Sequence, residues 1–309
     1  MADKILCFDI GGTAIRAATA TDGALPGKVS RFETPAGDHG AFLALISSII
    51  DDLPERPAAL AISLAGIVNP ETGNLVVANI PAIHGTNLKA DLEDRTQLPV
   101  IIANDADCFA VSEAVYGAGR DHDIVFGVIF GTGVGGGLVS GKRLINRAGG
   151  FAGEWGHGPV VPLVVGERPI PHFACGCGLS GCVDTVAGGP GLQRLHAFLH
   201  GETRAAPAIL SGWHAGEARA AQTVETCLQL LAGPLAMAIN LTGATIVPAG
   251  GGLARDHALV SAIDSAVRPL TLAKPRHRLV VPATSGAEPG LAGAAAIGFQ
   301  TLGIAAQPA

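Results

Sequence analysis

Phe8-Asp9-Ile10-Gly11-Gly12-Thr13 runs into a strand-like stretch at residues 14–20, and Phe130-Gly131-Thr132-Gly133-Val134-Gly135-Gly136-Gly137 runs into residues 138–140 in the same way. Each reads as strand, glycine turn, strand, so one device occurs at two distant places in the chain. Backbone N–H groups bared at such turns can donate to phosphate oxygens, and the hydroxyls of Thr13 and Thr132 can add to them. Either turn alone is also what an ordinary tight hairpin shows. As a pair they suggest one nucleotide held between two lobes. A Walker-type loop is excluded because no Gly-Lys-Ser/Thr ending follows, and a dinucleotide fingerprint because strand, not helix, follows the glycines. A third cluster, Gly250-Gly251-Gly252, follows a strand-like run at 245–249. Bare backbone there suits close approach of an adenine or ribose, or simply a turn before the next helix.

Outward from these turns the pattern is α/β. Short apolar runs at 4–10, 59–65, 100–103, 124–130, 245–248 and 279–282, bounded by Gly, Pro or Asp, read as buried strands. Helical spacing of apolar residues occupies 42–53, 87–97, 107–116, 221–241, 257–272 and 291–302, with Thr86 as a cap for the second. This alternation implies sheets covered by helices. The chain has 309 residues, 48% hydrophobic but only 4% aromatic, so aliphatic side chains and alanine must fill the core. A net charge of −6 argues against a general nucleic-acid binder. Strand pattern begins at Lys4, which leaves no room for a signal peptide, and no apolar run reads as long enough to span a membrane. A reducing cytoplasmic setting is expected, where clustered cysteines serve as metal ligands more readily than as disulfides.

Three of the six cysteines fall in Cys175-Gly176-Cys177-Gly178-Leu179-Ser180-Gly181-Cys182, with His157 upstream in Glu154-Trp155-Gly156-His157. Three thiolates and one imidazole satisfy a tetrahedral zinc ion, and the glycines let the sulfurs converge. A set of four protein ligands leaves no position for a water, so such a zinc holds loops and activates no nucleophile. The alternative is three unpaired thiols in a glycine-rich loop. Residues 146–186, rich in Gly, Pro, His and Cys, are expected to be irregular.

Candidate chemistry lies in Ile102-Ala103-Asn104-Asp105-Ala106-Asp107, where a strand ends and a helix begins. Sites in α/β sheets form at such edges, and a helix N-terminus favours the ionised form of Asp105. A carboxylate there can accept the proton of an attacking hydroxyl in phosphoryl transfer. Capping the helix is the competing role for Asn104 and Asp105.

Asp9-Ile10-Gly11-Gly12-Thr13, Asn104-Asp105, Gly131 to Gly137, Glu154-x-Gly156-His157 and Cys175-x-Cys177-Gly178-x-x-Gly181-Cys182, in this order, resemble the ROK family of bacterial sugar kinases over about residues 4–303. The resemblance implies an actin-like, two-lobed ATPase fold with a structural zinc, usually a homodimer, that binds ATP with Mg2+ and a hexose or hexosamine. It implies a smaller lobe of residues 1–117, with a C-terminal helix at 290–309 packed back on it, and a larger lobe of 118–289 carrying the zinc loop. By the same carry-over Asp105 is the general base for the sugar 6-hydroxyl. Gly66, Asn79, Asn104, Glu154, His157 and Asp184 line the sugar, and Asp9, Gly11, Gly12, Thr13, Gly131, Thr132, Gly133, Gly135, Gly251 and Gly252 face the nucleotide. His157, Cys175, Cys177 and Cys182 are the implied metal ligands.

The chain departs from that pattern in three places. Asp184 stands where the family carries Glu, one methylene longer. Ile62-Ser63-Leu64-Ala65-Gly66 lacks the usual Pro-Gly, and Pro248 replaces an aliphatic residue. The segments around Asn79, Asn104 to Ala114, Glu154 and Val186 to Leu192 are most similar to bacterial N-acetylglucosamine kinases, with glucokinase, fructokinase and N-acetylmannosamine kinase as competitors. Repressors of this family carry an N-terminal helix-turn-helix for which the sequence ahead of Asp9 has no space. A non-catalytic sugar-binding regulator would not need Asp105 together with both glycine hairpins.

Overall fold

In the computed structural model, which describes residues 4–147 and 149–304, alternate residues of Lys4–Ile10 (β1) feed two different cores. Leu6, Phe8 and Ile10 face one side of the sheet; Ile5 and Cys7 face the other. This is the period of two that a strand imposes on its side chains. β1 pairs antiparallel with Ala14–Thr21 (β2), which pairs with Ser30–Glu33 (β3). On its other side β1 pairs parallel with Ala59–Leu64 (β4), and β4 with Val100–Asn104 (β5). The order is therefore β3-β2-β1-β4-β5.

Helices His39–Asp51 (α1) and Leu88–Thr96 (α2) contribute Phe42, Ile46, Leu88 and Leu92 to the first core. Each fully buried Phe or Ile there contributes roughly 1.5–3 kcal/mol by leaving water. On the opposite face lie Asp105–Val115 (α3) and Pro289–Thr301 (α9), packed on Ala18, Ala61 and Cys108 through Leu291, Ala295 and Phe299. Small residues let these helices close up. A Cβ on Gly293 of α9 would stand 1.8 Å from the Cys108 carbonyl oxygen of α3, so only glycine fits.

Five helix starts differ from the sequence expectation by one to three residues, and two of them show why. The cap of α2 is Asn87, whose side chain accepts from the Ala90 N–H, while the Thr86 hydroxyl donates to the Ile83 carbonyl. Asn104 caps α3, so that helix starts two residues before the expected 107. Farther along α3, Glu113 is fully buried. Its carboxylate accepts from the backbone N–H groups of Ala118, Thr284 and Ser285, which satisfies the charge where the chain enters and leaves this part of the fold.

The second five-stranded sheet holds Ile124–Phe130 (β6), Val134–Ser140 (β7), Arg143–Leu144 (β8), Val247–Gly250 (β9) and Val280–Pro282 (β10). Their order, β8-β7-β6-β9-β10, repeats that of the first sheet. β7 begins at Val134, four residues before the expected 138, so Gly135, Gly136 and Gly137 lie inside a strand. Packing accounts for two of them. A Cβ on Gly136 would meet the Gly127 carbonyl oxygen at 2.8 Å and Trp155 at 3.1 Å, and one on Gly137 would meet the Ala106 carbonyl oxygen at 2.8 Å.

Asp184–Ala187 (α4), Gly189–His200 (α5), Ala206–His214 (α6), Ala218–Thr242 (α7) and His257–Val267 (α8) complete the helices discussed below. The sequence expectation missed α5 and α6, although Pro190 and Pro207 stand in their first turns, a recognised start signal. It also found no apolar run of membrane length, yet α7 is long and apolar enough by length and composition to cross one. Half of its most apolar stretch is buried against protein, with Val224, Leu230, Leu231 and Leu235 fully or nearly fully enclosed, and α7 contacts α5, α6 and α8. A core helix passes the same test.

The chain divides into two compact units, one of Met1–Asp121, Gly137–Ala152 and Thr284–Ala309, the other of His122–Gly136 and Gly153–Ala283. Residues 1–3, 148 and 305–309, including the end of the expected 290–309 helical segment, lie outside the described residues.

Candidate active site

The first unit carries the first glycine turn and the Asn104-Asp105 pair. Gly11, Gly12 and Thr13 connect β1 to β2, and the turn closes through a Gly11 N–H bond to the Ala14 carbonyl at 3.0 Å. Gly12 lies against Asn79: an added Cβ would stand 2.9 Å from the Asn79 carbonyl oxygen. Three further residues brace the turn. Thr34 donates its hydroxyl to the Gly11 carbonyl at 2.7 Å, and Arg16 and Ser63 hold the two oxygens of Asp9 at 2.9 Å each. None of the three was singled out from sequence. Arg16 was legible in principle, because a turn that pairs Ile10 with Ile15 puts Arg16 opposite Asp9.

Asn104 spends its amide on backbone. Its Oδ1 accepts from the Ala106 N–H at 2.8 Å, and its Nδ2 donates to the Gly66 carbonyl at 2.9 Å, which brings two of the expected sugar residues together. Gly66 has no room for a side chain, since a Cβ would stand 2.7 Å from Val77 Cγ2. Asp105, half-buried, is the first residue of α3 and its Oδ1 accepts from the Ala106 N–H at 2.9 Å. The aligned peptide dipoles of α3 stabilise negative charge at that end.

The second unit gathers the four expected metal ligands. Ligand atoms of His157, Cys175, Cys177 and Cys182 all lie within 4.8 Å of one another. Cys177 Sγ and Cys182 Sγ are 3.7 Å apart, and Cys175 Sγ lies 3.6 Å from His157 Nδ1. Tetrahedral zinc with bonds of about 2.3 Å to sulfur and 2.0–2.1 Å to nitrogen needs separations of about 3.8 and 3.6 Å. Both separations match, and the remaining donor pairs lie within 4.8 Å. The other His157 nitrogen, Nε2, faces Glu154 Oε2 at 3.8 Å, the arrangement by which a carboxylate orients a ligating imidazole. Burial pushes the Glu154 carboxyl above its usual range, with His157 pulling it back down. Burial also raises the Cys175 thiol to about 12 and raises Cys182, whereas hydrogen bonding from backbone at Leu179 lowers Cys177.

Around this cluster the second glycine turn, Gly131-Thr132-Gly133, is gripped from several sides. Gly156 abuts it so closely that a Cβ would stand 2.1 Å from the Val134 carbonyl oxygen. The Trp155 indole N–H donates to the Gly135 carbonyl at 2.9 Å, its ring set edge-on to Phe130. The Gly189 N–H, at the start of α5, donates to the Gly131 carbonyl at 2.8 Å. Asp184, also expected on the sugar, accepts from the Val134 N–H at 2.8 Å. Of the third cluster, Gly251 has φ +90° and a Cβ there would meet the Phe130 carbonyl oxygen at 2.5 Å, while around Gly252 there is open space.

With this geometry in view, likeness to known proteins is informative. The model of the ROK family matches residues 5–300. The N-acetylgalactosamine kinase AgaK of Shewanella sp. (strain ANA-3) is 34% identical over 94% of this chain and 95% of its own length. The N-acetyl-D-glucosamine kinase of Salmonella paratyphi A is 33% identical over 89% and 90%. A ROK family glucokinase from Streptomyces griseus, solved in complex with glucose and AMPPNP, superposes with a TM-score of 0.73 at 26% identity, covering 94% of this chain and 98% of that one. The chain belongs to the ROK family, with the α/β fold of actin-like ATPase type, and its class is that of the ATP-dependent sugar phosphotransferases.

Proposed function

We propose that the protein transfers the γ-phosphoryl group of ATP, with Mg2+, to the 6-hydroxyl of N-acetylglucosamine. The observation that carries this reading is Asp105, a carboxylate at the carboxyl end of β5 and the first turn of α3, beside the Asn104–Gly66 bond. As the sugar oxygen attacks phosphorus, its proton passes to Asp105, while bared N–H groups of the two glycine turns hold phosphate oxygens. Gly66, Asn79, Asn104, Glu154 and His157 are the proposed sugar contacts. Carboxylate and amide groups suit a ring whose hydroxyls both donate and accept.

His157, Cys175, Cys177 and Cys182 would hold zinc, whose contribution is to fix the loop bearing Glu154. With four protein donors the ion would have no position left for a water. A homodimer in the cytoplasm belongs to the same reading, and light scattering of the purified protein tests the first half of it.

Substrate choice leans on segments similar to N-acetylglucosamine kinases, and the likeness to an N-acetylgalactosamine kinase adds a competitor that the sequence reading had not weighed. The test is a coupled ADP assay over N-acetylglucosamine, N-acetylgalactosamine, N-acetylmannosamine, glucose and fructose. The highest kcat/KM is expected for N-acetylglucosamine. A higher value for N-acetylgalactosamine would overturn the sugar assignment and keep the mechanism; no turnover with any sugar would overturn both.

A further inference from the structure

We propose that Asp184 is a positioning residue for the nucleotide turn, joining Gly131-Thr132-Gly133-Val134 to the metal-binding loop, and is not a sugar ligand; this rests on the reading that the turn holds ATP phosphates. Its two oxygens face two different structures. Oδ1 accepts from the Val134 N–H at 2.8 Å, and Oδ2 lies 3.8 Å from the Sγ of Cys175. Its own N–H donates to the Gly156 carbonyl at 3.0 Å, which ties in the Glu154-Trp155-Gly156-His157 segment. One residue thus touches the metal-ligand loop, the segment carrying Glu154 and the glycine turn.

The fit around Asp184 is close. A Cβ on Gly133 would stand 2.6 Å from Asp184 Oδ1, so the turn rests directly on the carboxylate and Gly133 is glycine for that reason. Its backbone is held as well, because Asp184 begins α4, and the next segment presses the same turn. A Cβ on Gly188 would lie 2.9 Å from the Thr132 carbonyl oxygen, and the Gly189 N–H bonds the Gly131 carbonyl at 2.8 Å. A glutamate at 184 would carry its carboxylate one methylene farther and could not make the same short bond to Val134 without moving the turn. The shorter Asp converts a side chain long enough to leave the loop into one that clamps it.

A turn that must present N–H groups to phosphate gains from being fixed beforehand, since ordering it on binding costs affinity. Loss of the Asp184 contact is therefore expected in nucleotide affinity. In steady-state assays D184A should raise KM for ATP about tenfold, the size expected for losing a hydrogen bond to a charged acceptor. KM for the sugar should stay within about twofold of wild type on the same ground, and zinc per protein, measured by plasma emission, should be unchanged. D184N keeps an acceptor for the Val134 N–H and turns an amide N–H toward Cys175, so it should restore most of the ATP affinity.

Titration calorimetry of wild type and both variants with AMPPNP separates the ways to fail. Wild type that binds no nucleotide overturns the reading on which the proposal rests, and the proposal with it. Wild-type binding with D184A indistinguishable from it overturns the Asp184 role alone. A raised sugar KM with unchanged ATP KM would make Asp184 a sugar ligand, and loss of zinc from D184N as well as D184A would reduce it to support for the metal loop.

Discussion

The two glycine turns sit in sheets of the same strand order, and the leading strands β1 and β6 share one burial pattern, yet they are braced by different means. The first is held from within its own sheet and the loop just beyond, through Asp9, Arg16, Ser63 and Thr34. The second is held by Asp184 beside Cys175, by Gly156 beside His157 and by the start of α5. A hairpin whose support comes from paired strands is fixed once the sheet forms. A hairpin whose support comes from an irregular loop needs that loop fixed too, and a metal ion held by the four donors would do so without a hydrophobic core.

The largest expected difference between the halves is chemical. Replacing Asp105 in the first unit by Asn should lower kcat on the order of a hundredfold or more with little change in KM for either substrate, as loss of a general base does. A residual kcat near wild type would remove Asp105 from the mechanism.

Next in size is the response to metal removal. Chelation should lower activity by about tenfold or more and accelerate amide exchange across residues 131–137, while residues 9–13 keep their protection. Equal loosening of both turns would break the contrast drawn above. Since three thiols must lose protons to bind the ion, its affinity should rise with pH, as competition with a colorimetric chelator would measure.

A matched pair of substitutions sharpens the contrast further. In Gly12→Ala the new methyl meets backbone, the Asn79 carbonyl at 2.9 Å; in Gly133→Ala it meets a side chain, Asp184 Oδ1 at 2.6 Å. Both are overpacked, with a cost of about 1–3 kcal/mol. The cost at Gly133 should shrink in the D184A background because the obstructing carboxylate is gone, whereas that at Gly12 should not. Thermal unfolding of the single and double variants measures this.

The smallest effect concerns acid. His196 of α5 is buried, its Nδ1 bonded to the Thr223 hydroxyl at 2.8 Å and its Nε2 without a partner among the described residues. Burial, reinforced by His200, holds its pKa below the ordinary value. The neutral form is thus favoured in the folded protein, and this contribution is intact above the unfolded histidine value of about 6.5 and is lost as pH falls below it. The unfolding midpoint should fall modestly between about pH 6.5 and 5, with exchange rising in α5 before α1. A His196→Gln variant should flatten that part of the profile.

Much of the fold was legible because strand and helix periods are local. β1 and β6 have the bounds that their apolar runs imply, and α8 starts where expected. Two of the ends that shifted, those of α2 and α3, did so at caps. Asn87 and Thr86 both have side chains able to cap, and only the path of the chain decides which one meets the Ala90 N–H. α5 and α6 were passed over because glycine and proline at their starts resemble a loop until the chain behind them is seen to be helical.

The Cys/His cluster and the two glycine turns were determined by the sequence itself, because residue type and short spacing restrict what the backbone between them can do. His157 meets the three cysteines as expected. Only the tertiary structure decided what each glycine is for and where Asp184 points. Gly136 and Gly137 are small because other chain segments press on them, and Asp184 turns to Val134 because the β6–β7 turn comes to lie beside α4. Such contacts join residues fifty positions apart, as Val134 and Asp184 are. No local periodicity encodes them, so they exist only once the sheet and the loop have taken their places.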